Sequence, residues 1–197
     1  KVGEIKTEYS QIKNDYHFNV VIEGKGIFSL MGNRTLTSQG KIRNKRFQPK
    51  KFQHQNKKRP KKNIDAEFFY DKKLIMSNYK GRKIEKELLD GTLDIAVYLL
   101  QFNLHKSSKY SYSFEVYQGK KIRTYKYKKI KDQTIKLGKK DIETELFEGN
   151  IIGKEKSTHQ VWISKNNYRI PIKLTFPTDL GLDITHVLVS SSLTICT

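Results

Sequence analysis

The chain has 197 residues, a formal net charge of +19 and a mean hydropathy of −0.69. That length suits one domain with a substantial core, and the longest apolar stretch, Ile95 to Leu100, is far short of the roughly 20 residues a helix needs to cross a bilayer. A single cysteine, Cys196, excludes an intrachain disulfide and a four-cysteine zinc site, while the strong positive charge directs attention to acidic partners: nucleic acid, anionic lipid head groups, acidic glycans or an acidic protein.

Taken in chain order, the first clear signal is period-two alternation, the mark of a half-buried strand. Tyr16, Phe18, Val20 and Ile22 share one face, and "EGKG" at Glu23 and "MGN" at Met31 mark turns beyond them. The run from Lys41 to Asn63 then carries eleven Lys or Arg and no Asp or Glu. Outside it, 28 basic residues still face 20 acidic ones, so the basicity is concentrated in the run without being confined to it. Phe47 and Phe52 have opposite parity with Pro49 between them, so a strand there must be broken or bulged. Downstream, "NKKRPKKN" reads as a hairpin tip between a strand ending near Gln55 and the next, "IDAEFFYD". This places Lys57, Lys58, Arg59, Lys61 and Lys62 together on one exposed loop, the candidate polyanion site.

One segment breaks the strand rhythm. Leu93, Ala96, Val97, Leu100 and Leu104 recur at helical spacing, with Asp90, Thr92 or Asp94 available to cap the start and His105 and Lys106 suited to the end. The expectation is one helix over about residues 92–104, filling the concave side of a curved sheet. Alternation then resumes at Tyr110, Tyr112, Phe114 and Val116, at Ile142, Thr144 and Leu146, and at Ile170, Ile172, Leu174 and Phe176. Turns are signalled by "YQGKK", "EGN" and "SKNN". Tyr110, Tyr112, Phe114 and Trp162 are the candidate cavity-lining residues, weighed against a plain core role.

Motifs that carry chemistry are scarce. Neither Gly119-Lys120 nor Gly138-Lys139 has the upstream Gly or following hydroxyl of a phosphate loop, and "GKGIFSLMG" misplaces the third Gly of a dinucleotide fingerprint. No Gly-x-Ser-x-Gly elbow is present, and Cys196 lies in a terminal tail where thiol activation lacks a fixed setting. The five histidines are scattered singly. Asp90 and Asp94 are explained by capping. Glu143 and Glu145 share a strand face that the alternation turns toward solvent. Catalytic, cofactor and metal residues are therefore set at none. "RTYKYKKIK" from Arg123 and the tyrosine strand fit a basic-aromatic nucleic-acid surface only loosely. The balance of 32 Lys against 7 Arg also disfavours base reading.

Two stretches carry a family resemblance. "DGTLDIAVYLLQFNL", followed by "VWISKNNYRIPIKLTFPTDLGLDITHVLV", is similar to the bacterial exported proteins grouped as domain of unknown function 3108. The matching positions are Asp94, Leu99 and Leu100, Trp162, Arg169-Ile170-Pro171-Ile172 and Gly181, with "FQPKKF" at Phe47 as an early strand. Ala96 stands where the family commonly has Ser, and Asn166 where it commonly has Asp. The resemblance implies a secreted or periplasmic protein with a curved antiparallel sheet around a helix, similar in outline to lipoprotein-carrier half-barrels. The chain begins at Lys1 rather than Met, which fits a signal peptide already removed.

These readings converge on a mainly β protein, an antiparallel strongly curved sheet or open barrel around a single central helix. Residues 1–197 are expected to form one domain with flexible ends at about 1–8 and 190–197. The expected role is non-enzymatic and envelope-associated, binding a hydrophobic or acidic ligand or another envelope component, without a cofactor. The alternatives are polyanion or nucleic-acid binding through the 57–62 hairpin, with nucleic acid the weaker partner, and an enzyme acting on a cell-wall polymer.

Overall fold

The computed structural model describes residues 3–25, 32–105, 109–154, 157–166, 168–177 and 183–188. Cys196, Gly181, Lys106, most of "GKGIFSLMG" and the 190–197 end lie outside the described residues. The chain divides into two compact units, one of residues 1–98 and 115–122, the other of residues 99–114 and 123–197.

The first unit is built on a seven-stranded antiparallel meander: β1 (Gly3–Ile12), β2 (Asp15–Gly24), β3 (Arg34–Arg43), β4 (Arg46–Asn56), β5 (Ile64–Phe69), β6 (Leu74–Tyr79) and β7 (Arg82–Glu87), in that spatial order. Residues 3–8, read as a loose end from sequence, are part of β1 and pair with β2 from Gly3↔Gly24 onward. Alternation does what it should. Tyr16 and Phe18 are buried on β2, and Ile64, Ala66 and Phe68 on β5, while Asp65 and Glu67 between them are exposed. A core of Phe52, Ile64, Ala66, Phe68, Ile75, Leu88 and Tyr117 results.

The parity conflict across Pro49 is resolved by a bulge, one of the two outcomes, break or bulge, that the sequence allows. Gly40 pairs with Pro49 and Gln39 with Lys51, leaving Lys50 as the extra residue. The shift turns both Phe47 and Phe52 into the core. Gly40 is obligatory there, because a Cβ on it would sit 2.1 Å from the Gln48 carbonyl oxygen. The β3–β4 hairpin closes through Asn44 and Lys45, both at positive φ (50° and 57°), the geometry of a two-residue turn matched to strand twist.

The expected helix over 92–104 is absent, and the described residues contain no α-helix. In its place stand the two-residue strand β8 (Leu93–Asp94), a turn, and a 3₁₀ segment, Tyr98–Phe102. The cause is local. Asp94 Oδ1 accepts from the backbone N–H groups of both Ala96 and Val97, tightening the chain at once, and Ile95 N–H is taken by the Tyr117 carbonyl. Beyond, Asn103, Leu104 and His105 donate three residues back, to Leu100, Gln101 and Phe102. A three-residue turn serves apolar spacing of three nearly as well as an α-helix does. It buries Val97, Tyr98 and Phe102, whereas Leu100 and Leu104 are only half-buried.

The second sheet has the order β14 (Asp183–Val187), β13 (Pro171–Pro177), β12 (His159–Ser164), β11 (Lys140–Ile151), β10 (Ile122–Leu137), β9 (Ser111–Tyr117), β8. Its described pairs from β10 to β14 are antiparallel, while β8 runs parallel to β9, within the first unit, through Leu93↔Val116 and Asp94↔Tyr117. The second unit's core is aromatic. Phe102 lies with its ring centroid 4.6 Å from Tyr112, 5.4 Å from Phe114, 5.5 Å from Tyr127 and 5.3 Å from Phe147.

Candidate ligand-binding site

Pairing of Lys41 with Gln48, of Gln39 with Lys51 and of Lys51 with Glu67 puts these side chains on one face of the first sheet. The opposite face is the core side carrying Phe47, Phe52, Ala66 and Phe68. Arg43 follows Lys41 on the same face, and the bulge adds Lys50. Together with Phe69, Tyr70 and Asp71, which end β5 and begin the next turn, they line a cleft of about 720 Å³. Four cations meet two acids there. Lys41 is 3.9 Å from Asp15, whereas Arg43, Lys50 and Lys51 make no ion pair among the described residues. Tyr70 is fixed at the rim by donating to the Pro49 carbonyl at 3.0 Å, at the bulge itself. Burial, with the charges of Asp94 and Asp90, pushes the Tyr70 phenol well above its usual pKa, so it acts as a donor and not as an anion. The cleft thus offers guanidinium and ammonium donors beside aromatic rings, a chemistry suited to a phosphate or carboxylate attached to a ring or chain.

The 57–62 tip lies between β4 and β5, where "NKKRPKKN" reads as a hairpin end, and all five cations are exposed. It is a built turn. Asn56 is buried, its Oδ1 accepts from the backbone N–H groups of Lys58 and Arg59, and Asn63 Oδ1 accepts from Asn56 N–H. A short 3₁₀ segment, Pro60–Lys62, completes it.

Of the four aromatic candidates only Tyr112 and Phe114 come together, with ring centroids 5.9 Å apart. Tyr110 is 66% exposed. Tyr112 and Phe114 are buried in the Phe102 cluster. Trp162 pairs with Leu146 while Phe147 pairs with Val161, so Trp162 faces away from that cluster. It donates Nε1–H to Gln133 at 3.2 Å and lies under the Lys173 ammonium, 4.4 Å from the ring centroid.

Two acidic residues, Glu145 and Asp94, are buried. Glu145, read as solvent-facing, is 2% exposed and sits between two cations, with Lys129 Nζ at 2.7 Å and Arg169 Nη2 at 2.7 Å. The Lys129 contact is a hydrogen bond; the Arg169 contact is close but off the hydrogen-bond line. Glu143 alone is exposed. Period-two reading fails at Glu145 because both faces of β11 are covered from Thr144 to Phe147. Asp94 caps a turn, as a capping residue should, but it is fully buried. Its Oδ2 accepts from Ser38, which is also hydrogen-bonded to Tyr16. No cation faces it in that set, and burial raises its pKa to about 7, against the lowering effect of these hydrogen bonds. Asp90, by contrast, is exposed and paired with Arg46 at 3.2 Å. Among the described residues no group of three His, Cys, Asp or Glu is placed to hold a metal ion.

The cleft went unseen in the sequence because Lys41, Arg43, Lys50 and Lys51 read only as the charged flank of a bulged strand. The signal was available in the parity of Lys41 and Arg43 across a tight Asn44-Lys45 hairpin. Compared with known families, residues 1–188 match the family model described as Protein of unknown function (DUF3108). No curated protein and no solved structure gives a match to the chain.

Proposed function

The chain belongs to the DUF3108 family, and from that premise we propose that it is a non-enzymatic envelope protein that binds an anionic envelope component in the cleft of its first sheet. The observation that carries the reading is the excess of cations around that cleft, with Arg43, Lys50 and Lys51 unpaired among the described residues. Like charges held close together repel, and an anion relieves that repulsion. Phe69 and Tyr70 add apolar surface beside the charges, which favours a ligand with both an acidic group and a ring or chain over a bare ion. Periplasmic location belongs to the same proposal and rests on the family resemblance.

A second reading, polyanion binding at Lys57, Lys58, Arg59, Lys61 and Lys62, is favoured by the Asn56 and Asn63 hydrogen bonds that hold this tip in one shape. The two readings part in one experiment. Binding of a soluble short-chain phosphatidylglycerol is measured by titration calorimetry for the native chain and two variants. One carries Arg43→Glu, Lys50→Glu and Lys51→Glu; the other carries Ser at the five tip positions. The cleft reading expects at least a tenfold loss in the first variant and near-native affinity in the second. The reverse pattern moves the site to the tip, and no binding by the native chain overturns the anionic-lipid form of the proposal.

A further inference from the structure

The two edges of the first sheet differ in kind. At one edge, β7 turns Arg82, Ile84 and Lys86 toward the core side, as the pairing of Ile84 with buried Ser77 shows. Inward-pointing charges on an edge strand discourage further pairing. At the other edge, β1 turns Ile5, Thr7, Tyr9 and Gln11 to the core side, opposite Ile22, Val20, Phe18 and Tyr16. No charge lies among them. Tyr9 packs edge-to-face on Phe18 and Phe47, each with centroids 6.4 Å apart. The aromatic layer therefore continues to the last strand, beyond which no strand pairs among the described residues, with Ile5 36% and Tyr9 41% exposed.

We propose that β1 is a homodimer interface, pairing antiparallel with β1 of a second copy of this chain about a two-fold axis at Thr7. The choice of occupant rests on self-complementarity. With Thr7 opposite its own counterpart, Lys6 faces Glu8 twice, Ile5 faces Tyr9 twice, and Glu4 faces Ser10. Keeping both core faces on one side permits only registers that centre a residue on its own copy. Centring on Lys6 opposes two lysines and also Glu4 with Glu8; centring on Glu8 opposes two glutamates. Directly opposed like charges destabilise a strand pair and opposite charges support it, so the Thr7 register is selected over its neighbours. The result is a continuous sheet across the two-fold axis, with an isologous interface.

Sedimentation velocity on the purified full chain over a range of concentrations tests this. The native chain is expected to dimerise. Lys6→Glu and Glu8→Lys, each checked for native folding by circular dichroism, are each expected to weaken dimerisation at least tenfold. The double swap Lys6→Glu/Glu8→Lys is expected to restore it, because the opposed pairs regain opposite charge. A native chain that is monomeric throughout overturns the proposal. So does a dimer indifferent to either single change, or a double swap that stays monomeric.

Discussion

The Tyr127 hydroxyl donates to Nε2 of His159 at 2.7 Å, and the two side chains meet across a residue that has none. Gly149 pairs with Tyr127 on one side and His159 on the other. A Cβ there would lie 2.5 Å from the Tyr127 ring and 2.6 Å from His159 Nε2. Gly149→Ala must therefore push one of two buried rings off its place. The expected cost is about 2 kcal/mol, within the range for overpacking a core, read as a lowered urea midpoint with unchanged slope. A variant as stable as the native chain would show that the β10–β11–β12 face gives way freely.

The same pair fixes the state of the imidazole. Nδ1 lies 2.8 Å from the Ser157 carbonyl oxygen, which can only accept, so Nδ1 carries the hydrogen and Nε2 accepts from Tyr127. Burial lowers the His159 pKa, against the raising effect of the Ser157 carbonyl. The unfolded chain then takes up its proton first, so this residue's contribution to stability is present above the ordinary histidine pKa of about 6.5 and is lost as pH falls below it. Nitrogen NMR of the histidine rings should show His159 still neutral, as the Nδ1–H tautomer, at about pH 6.5, the ordinary histidine value. A His159 ring already half-protonated at that pH would refute the assignment.

Asp94 has the opposite sign. Its pKa is raised to about 7 by burial, so between roughly pH 4 and 7 the folded chain holds a proton that the unfolded chain has released. Stability falls through that window as pH rises, by about 1.4 kcal/mol per unit, and levels off above it. Asp94→Asn keeps an oxygen for the Ala96 and Val97 N–H groups and removes the titration. Denaturation at pH 5 and pH 8 should show the loss on alkalinisation shrinking by roughly 2–3 kcal/mol in the variant. An equal loss in both proteins would mean that Asp94 is ionised throughout.

Glu145 and Arg169 form a buried pair in which each is the other's compensation. Arg169 adopts φ +44°, an unusual backbone for a side-chain-bearing residue, and its guanidinium is almost wholly enclosed. Arg169→Met is expected to cost about 3–5 kcal/mol, because Glu145 stays buried with Lys129 as its remaining cation among these ion pairs. Removing both in Glu145→Leu/Arg169→Met should cost less than the sum of the single changes by at least 1 kcal/mol, the mark of coupled neighbours. Additive losses would show that the two act independently.

Much of the architecture was legible in the residues. Alternation at Tyr16–Ile22 and at Ile170–Phe176 falls on β2 and the β13 region, since a pleated strand sends successive side chains to opposite faces, and the strand expected at "IDAEFFYD" is β5. The parity conflict between Phe47 and Phe52 called for a break or a bulge, and a bulge is what forms. The spacing at Leu93–Leu104 predicts a helix where a 3₁₀ segment stands, because repeats of three suit both a 3₁₀ turn and an α-helix. What separates them is the Asp94 carboxylate folding back on two backbone N–H groups, and the Tyr117 carbonyl taking Ile95 N–H from a distant strand.

Strand alternation, a break or bulge across Pro49, the exposed tip at 57–62 and the charge that directs attention to acidic partners are legible in the residues alone. Each depends only on neighbours a few residues away. Tertiary structure alone decided that Lys41, Arg43, Lys50 and Lys51 surround one cleft with Phe69 and Tyr70. It also decided that Glu145 is buried between Lys129 and Arg169, and that Gly149 makes room for Tyr127 and His159. Those facts rest on which strand lies beside which and in what register, and local pattern carries no information about a partner strand dozens of residues away.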